Sequence, residues 1–276
     1  MLESLYQKVK ESNLKMDWVE PAWLKAQEVP DFDVKSFGDK GPSLLLLHGL
    51  LGAMTNWDGA IPYFKEYAKT LAFHFPILSS HRSDVGIKSL ALYTEFYIRQ
   101  NSLKPLVLCG NSLGGHVALR LALNSPDLID ALVLTGSSGL YEHTVDTLPI
   151  RPSREFIKSQ MQRVFYSEEF ITEEAIEEVY STLRNRKHQL NIIHSARSAK
   201  KDFLLDRLKE IKIPVLLVWG KDDLVTTLNV AETFQENLSN SKLVVFDKCG
   251  HAPMIEHPDK FSNAVKKFLV EEGLYQ

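Results

Sequence analysis

Short apolar runs alternate along this chain with longer stretches in which apolar residues recur every three or four positions. The runs at 43–47, 106–109, 129–135 and 213–220 are almost continuously apolar, as strands buried on both faces of a parallel sheet are. Residues 70–75 and 242–246 read as two further strands, and 32–37 alternates as an edge strand does before the turn Gly38-Asp39-Lys40-Gly41-Pro42. Helical spacing appears at 61–67, just after Asn56-Trp57, and at 89–100 through Leu90, Tyr93, Phe96 and Tyr97; it returns at 226–238 and 259–270. Strands and helices in this order predict an α/β fold with a doubly wound, mainly parallel sheet. A helical stretch at 2–14, followed by Pro21 and Pro30, reads as an N-terminal extension packed on that core.

From about 137 to 208 the pattern changes. No strand is evident there, and charged amphipathic helices are predicted at 153–165, 172–183 and 190–205. Thr172 suits a helix N-cap, Glu173 and Glu174 favour the first-turn dipole, and Ile176, Val179, Tyr180 and Leu183 share one apolar face. The run Arg184-Asn185-Arg186-Lys187-His188 reads as a solvated turn between helices, in preference to an acid-binding patch.

Chemistry enters where the run at 106–109 meets Gly110-Asn111-Ser112-Leu113-Gly114 and then Val117, Ala118, Leu121 and Ala122 at helical spacing. A strand passing straight into a helix leaves little room for side chains. Glycines at 110 and 114 let the two approach while Ser112 stands at the tip. The helix that follows aims its free N–H groups at the same spot, where an oxyanion would form. A serine hydroxyl is a poor nucleophile at neutral pH and needs a base, and the base needs a partner that fixes its tautomer. His251 and Asp223 are the candidates for those roles.

With His48-Gly49 upstream, and Gly220-Lys221-Asp222-Asp223 and Gly250-His251 downstream, nearly the whole chain resembles the α/β-hydrolase superfamily, whose residues follow the order Ser, Asp, His. The resemblance implies a core formed by 1–136 and 209–276, with 137–208 as an inserted helical cap over the active site, expected to be more mobile than the sheet. It implies that the backbone N–H groups of Leu50 and Leu113 form the oxyanion hole. It makes Asp223, third after the strand-terminal glycine, the acid, with Asp222 facing solvent or capping the turn. His48, His116 and His257 are then structural. The chain departs from better-known relatives in three places. Phe75-Pro76-Ile77-Leu78-Ser79-Ser80-His81-Arg82 replaces an Asp-x-Pro-Gly-x-Gly-x-Ser loop. Carbon-carbon bond hydrolases of ring-cleavage pathways, the branch it looks close to, usually carry tryptophan after the histidine and a cap arginine. Here stand Ala252 and Val179-Tyr180.

The 276 residues suffice for one large domain with an insertion, and 44% hydrophobic with 24% charged residues is ordinary for a globular protein. A net charge of −3 gives no reason to expect nucleic acid or an anionic membrane as partner. The N-terminus shows no basic region followed by an apolar core, and no apolar run is long enough to span a bilayer, so a cytoplasmic location is expected. Cys109 and Cys249 read as small buried residues rather than redox or metal sites. No metal motif or cofactor fingerprint is present, so no metal and no cofactor are expected. The function predicted is a serine-dependent hydrolase acting on a small carboxylic ester. Carbon-carbon bond hydrolysis of a vinylogous diketone, cofactor-free haloperoxidation and a non-catalytic binding role remain as alternatives. The partner expected is a small-molecule substrate, with oligomeric state open.

Overall fold

The computed structural model describes residues 2–14, 20–141 and 152–276. Its elements run α1 (Leu2–Leu14), α2 (Ala22–Ala26), β1 (Val34–Phe37), β2 (Ser43–Leu47), α3 (Ile61–Phe64), β3 (Lys69–Phe73), α4 (Ile87–Asn101), β4 (Leu106–Asn111), α5 (Leu113–Asn124) and β5 (Ala131–Thr135). Three helices follow, α6 (Arg154–Val164), α7 (Glu173–Arg184) and α8 (Arg186–Lys201). The chain then closes with β6 (Val215–Gly220), α9 (Leu228–Asn237), β7 (Ser241–Phe246), α10 (Pro253–Glu256) and α11 (Pro258–Glu271).

The seven strands form one sheet in the order β1-β3-β2-β4-β5-β6-β7. Only β1 runs antiparallel, against β3; every other pair is parallel. Because successive side chains point to opposite faces, one strand serves two cores. Leu106 and Leu108 of β4 join the layer formed with α4, α5 and α9. Val107 and Cys109 join the layer formed with α3 and α11. Burial on both faces explains why the central runs carry no polar alternation. The N-terminal extension packs as expected: Tyr6, Val9 and Leu24 bury against Leu92 and Phe96 of α4.

Boundaries differ where local chemistry overrode periodicity. The helix expected at 61–67 is cut to Ile61–Phe64 and preceded by a 3-10 turn at Met54–Trp57. Thr172 does cap α7, accepting from Ala175 N at 3.2 Å. The third inserted helix, however, begins at Arg186 rather than 190, because the Asn185 side chain accepts from the N–H groups of Lys187 and His188. The basic run is solvated as expected, with residues 184–187 exposed, but most of it belongs to the two helices. Only Asn185 forms the corner, and Lys187 donates to Ser79 O at 2.7 Å.

The inserted helices are seated on the core. Asn191 of α8, buried, donates to the carbonyls of Ile77 and Ser80 at 2.8 and 3.1 Å. Thus the loop that departs from better-known relatives is the one on which α8 rests. Where the insertion leaves the core, Leu204 N bonds Gly139 O, and Asp202 is buried in contact with His116 and Arg120 of α5. Burial works against ionisation of Asp202, yet hydrogen bonds from His116 and Arg120 outweigh it and hold its pKa at about 2. His116 is thereby a structural residue, as expected. Among the described residues no helix is long and apolar enough to cross a membrane.

Candidate active site

At the junction of β4 and α5 the chain turns so tightly that Ser112 adopts φ 52° and ψ −117°, a region costly for a side-chain-bearing residue and found where the surroundings enforce it. The enforcement is visible. A Cβ at Gly110 would stand 2.5 Å from Gly115 N, and one at Gly114 would overlap the Leu47 carbonyl. Ser112 N donates to Thr135 O at 3.1 Å, and its own carbonyl accepts from His116 N and Ser138 N, each at 3.1 Å. The backbone is thus locked on both sides of the hydroxyl-bearing residue.

Gly49 lies against this tip, so close that a Cβ there would be 3.3 Å from Ser112 Cβ. The loop is held by His48, which is fully enclosed: Phe75 N donates to its Nε2 at 3.0 Å, so its Nδ1–H is the donor to Gly49 O at 2.7 Å. Burial pushes its pKa down to about 4. Both ring nitrogens serve the backbone, so His48 is a brace. Among the described residues nothing accepts from the N–H of Leu50 or of Leu113, so both donors are unused.

The other half of the site comes from the loops after β6 and β7. Asp223, 2% exposed, accepts His251 Nδ1–H on Oδ2 at 2.8 Å. Its Oδ1 takes the N–H groups of Val225 and Thr226 at 2.8 and 2.9 Å, and the Thr226 hydroxyl donates to Oδ2 at 3.0 Å. All lone-pair directions of the carboxylate are occupied, so its orientation is fixed. With the proton on Nδ1, the Nε2 of His251 carries the lone pair, as a general base requires. Asp222 is exposed and accepts from Cys249 N at 3.4 Å; it caps the turn. The two halves meet through Asn111, whose amide donates to Thr135 O at 3.0 Å and to His251 O at 3.1 Å. The imidazole lies over Gly136, where a Cβ would be 2.7 Å from Nδ1.

Ser112, Asp223 and His251 therefore gather at the C-terminal edge of the sheet, with Leu50 and Leu113 beside them. Two contributors had no part in the site assigned from the sequence. Thr226 carries a signal, an Asp-x-x-Thr turn; Asn111 stands directly before the serine. Both cysteines are buried, and burial raises their pKa, so neither is a reactive thiolate. His257 bonds Lys248 O. Among the described residues no group of His, Cys, Asp or Glu could hold a metal. A cavity of about 630 Å³ bounded by Trp23, Phe32, His74 and Tyr93 is lined by none of the three candidate residues.

Comparison with known proteins agrees with this architecture. The chain is 32% identical to a 2-hydroxy-6-oxononadienedioate/2-hydroxy-6-oxononatrienedioate hydrolase of Burkholderia vietnamiensis, over 84% of this chain and 88% of that one. It is 27% identical to a pimeloyl-[acyl-carrier protein] methyl ester esterase of Nitrosomonas europaea, over 80% and 93%. An alpha/beta hydrolase enzyme from the sediment metagenome of the Mar Chica lagoon, Morocco, superposes with a TM-score of 0.73 at 30% identity, covering 93% of this chain and 100% of that one. The sequence pattern of the alpha/beta hydrolase family matches residues 44–264, and the chain belongs to that family.

Proposed function

We propose that the chain is a serine-dependent hydrolase of small carboxylic esters that works through an acyl-enzyme. Ser112 attacks the carbonyl, His251 takes its proton and passes it to the leaving alcohol, and Asp223 holds the tautomer. The N–H groups of Leu50 and Leu113 receive the oxyanion. Water activated at His251 then releases the acid. Residues 137–208 act as the cap whose apolar faces line the pocket. The observation that carries the reading is the 2.8 Å bond from His251 to a buried Asp223, at the same sheet edge as a serine held at positive φ. A fluorophosphonate probe should label Ser112 and abolish turnover of p-nitrophenyl esters. Labelling that persists in Ser112→Ala would sink the assignment.

Carbon-carbon bond hydrolysis is the second reading, supported by the similarity to the Burkholderia vietnamiensis hydrolase. Two features of this chain weigh against it. Ala252 follows His251, and Arg154, a cap guanidinium, is paired with Glu177 at 2.7 Å and stacked 3.9 Å over Tyr180. A series of p-nitrophenyl esters assayed beside a vinylogous 1,5-diketone separates the two. Faster turnover of the diketone than of every ester would favour carbon-carbon cleavage.

A further inference from the structure

The loop that carries His251 is fastened to the inserted helices as well as to its own sheet. His251 donates its backbone N–H at 2.7 Å to the carbonyl of Val164, the last residue of α6. The linker that follows continues the contact: Tyr166 N and Ser167 N donate to one oxygen of Glu256 at 2.8 and 3.3 Å. The other oxygen of Glu256 accepts from Gly250 N at 2.7 Å. Gly250 is pressed onto the linker so closely that a Cβ would overlap Val164 O and stand 3.0 Å from Tyr166 N.

Glu256 is 9% exposed, and among the described residues no lysine or arginine forms an ion pair with it. A buried carboxylate without a cation is costly, and burial pushes its pKa up while the three N–H groups pull it back. Two acceptor oxygens suit this place, because every partner is a donor. An amide of the same shape would turn N–H against N–H on one side.

We propose that Glu256 is a positioning residue for His251: one carboxylate binds the linker 164–167 and the histidine loop to each other, so that the imidazole is aligned with Ser112 only while that part of the insertion is seated. The inference rests on the reading of His251 as the base. It differs from that reading in making the insertion a support of the chemistry and not only a cover.

The test is Glu256→Gln, assayed on a p-nitrophenyl ester in the wild-type and His251→Ala backgrounds, with amide hydrogen exchange beside it. In the wild-type background kcat should fall about tenfold to a hundredfold, as misplacement of a reacting group does, with KM changed about threefold or less. In the His251→Ala background the substitution should have no further effect, since coupled residues are not additive. Amides of Gly250, His251 and Tyr166 should exchange faster, with those of β4 unchanged. Unaltered kcat, or an equal loss in both backgrounds, overturns the proposal. If His251→Ala itself leaves activity intact, the proposed reaction fails instead, and the exchange data alone judge the clamp; unaltered exchange at 250 and 251 overturns it.

Should Glu256→Gln fail to fold, Tyr166→Pro removes one donor and leaves the carboxylate. The preceding Phe165, at φ −108° and ψ 139°, already has the backbone that a following proline requires, and the Tyr166 side chain is 49% exposed. A smaller kcat loss with the same dependence on His251 is expected. No loss in a folded variant overturns the proposal.

Discussion

The two halves of the candidate site are built differently. The serine half lies within six consecutive residues and is closed by backbone: two glycines that tolerate no Cβ, a strained φ, and carbonyls of neighbouring strands. The acid-base half joins two loops through side chains, with Asp223 and His251 orienting each other and Thr226 and Asn111 holding them from either side. A site closed by backbone resists change in its surroundings, because few substitutions reach it. One closed by side chains can be loosened in steps. The comparison predicts all-or-none effects in the first half and graded ones in the second.

The largest effect should come from Ser112→Ala, which removes only a hydroxyl. Turnover of an activated ester should fall by about 10⁴ or more with an unchanged melting temperature; turnover near the wild-type rate would mean that the elbow is not the nucleophile. Next, Asp223→Asn should cost about 10⁴, since an amide can hold the wrong tautomer. The exposed Asp222→Asn should cost about tenfold or less, and equal damage from both would replace the single orienter by a shared network. Thr226→Val keeps shape and deletes the hydroxyl that donates to Asp223. A fall in kcat of about tenfold is expected, the worth of one hydrogen bond to a charged group, and no change would make Thr226 a spectator.

The smallest effect on turnover belongs to Asp202→Asn, which touches neither half, yet it should show in stability. With its folded pKa held at about 2, below the ordinary aspartate value of 3.8, Asp202 contributes stability that is present above roughly pH 4 and lost as pH falls through about 2. Chemical unfolding near neutral pH should find the variant weaker by about 2 kcal/mol. The gap to wild type should close toward pH 2; a gap that persists there would assign the loss to packing.

What the sequence revealed follows the same division. The central strands, their two-sided burial and the elbow are written in adjacent residues, and Asp223 follows the strand-terminal Gly220 while His251 follows Gly250 in the loop after β7. The start of α8 was hidden because periodicity begins with the apolar Leu190, whereas the helix is nucleated by the polar Asn185. Glu256 carried no signal at all. Its partners Tyr166 and Ser167 lie 90 and 89 positions away, and nothing local marks a glutamate in a short helix as the acceptor for another region. The seating of Asn191 on Ile77 and Ser80 was invisible for the same reason.

The insertion sits between β5 and β6, neighbours paired from Leu132 with Val215 to Thr135 with Val218. Closing a loop costs entropy that grows only with the logarithm of its length, about 0.6 kcal/mol for each doubling. Segments here can therefore lengthen, shorten or be exchanged over evolutionary time without reopening the sheet. Divergence of specificity is thermodynamically inexpensive at this one point of the chain, provided that each new segment keeps the few contacts that seat it.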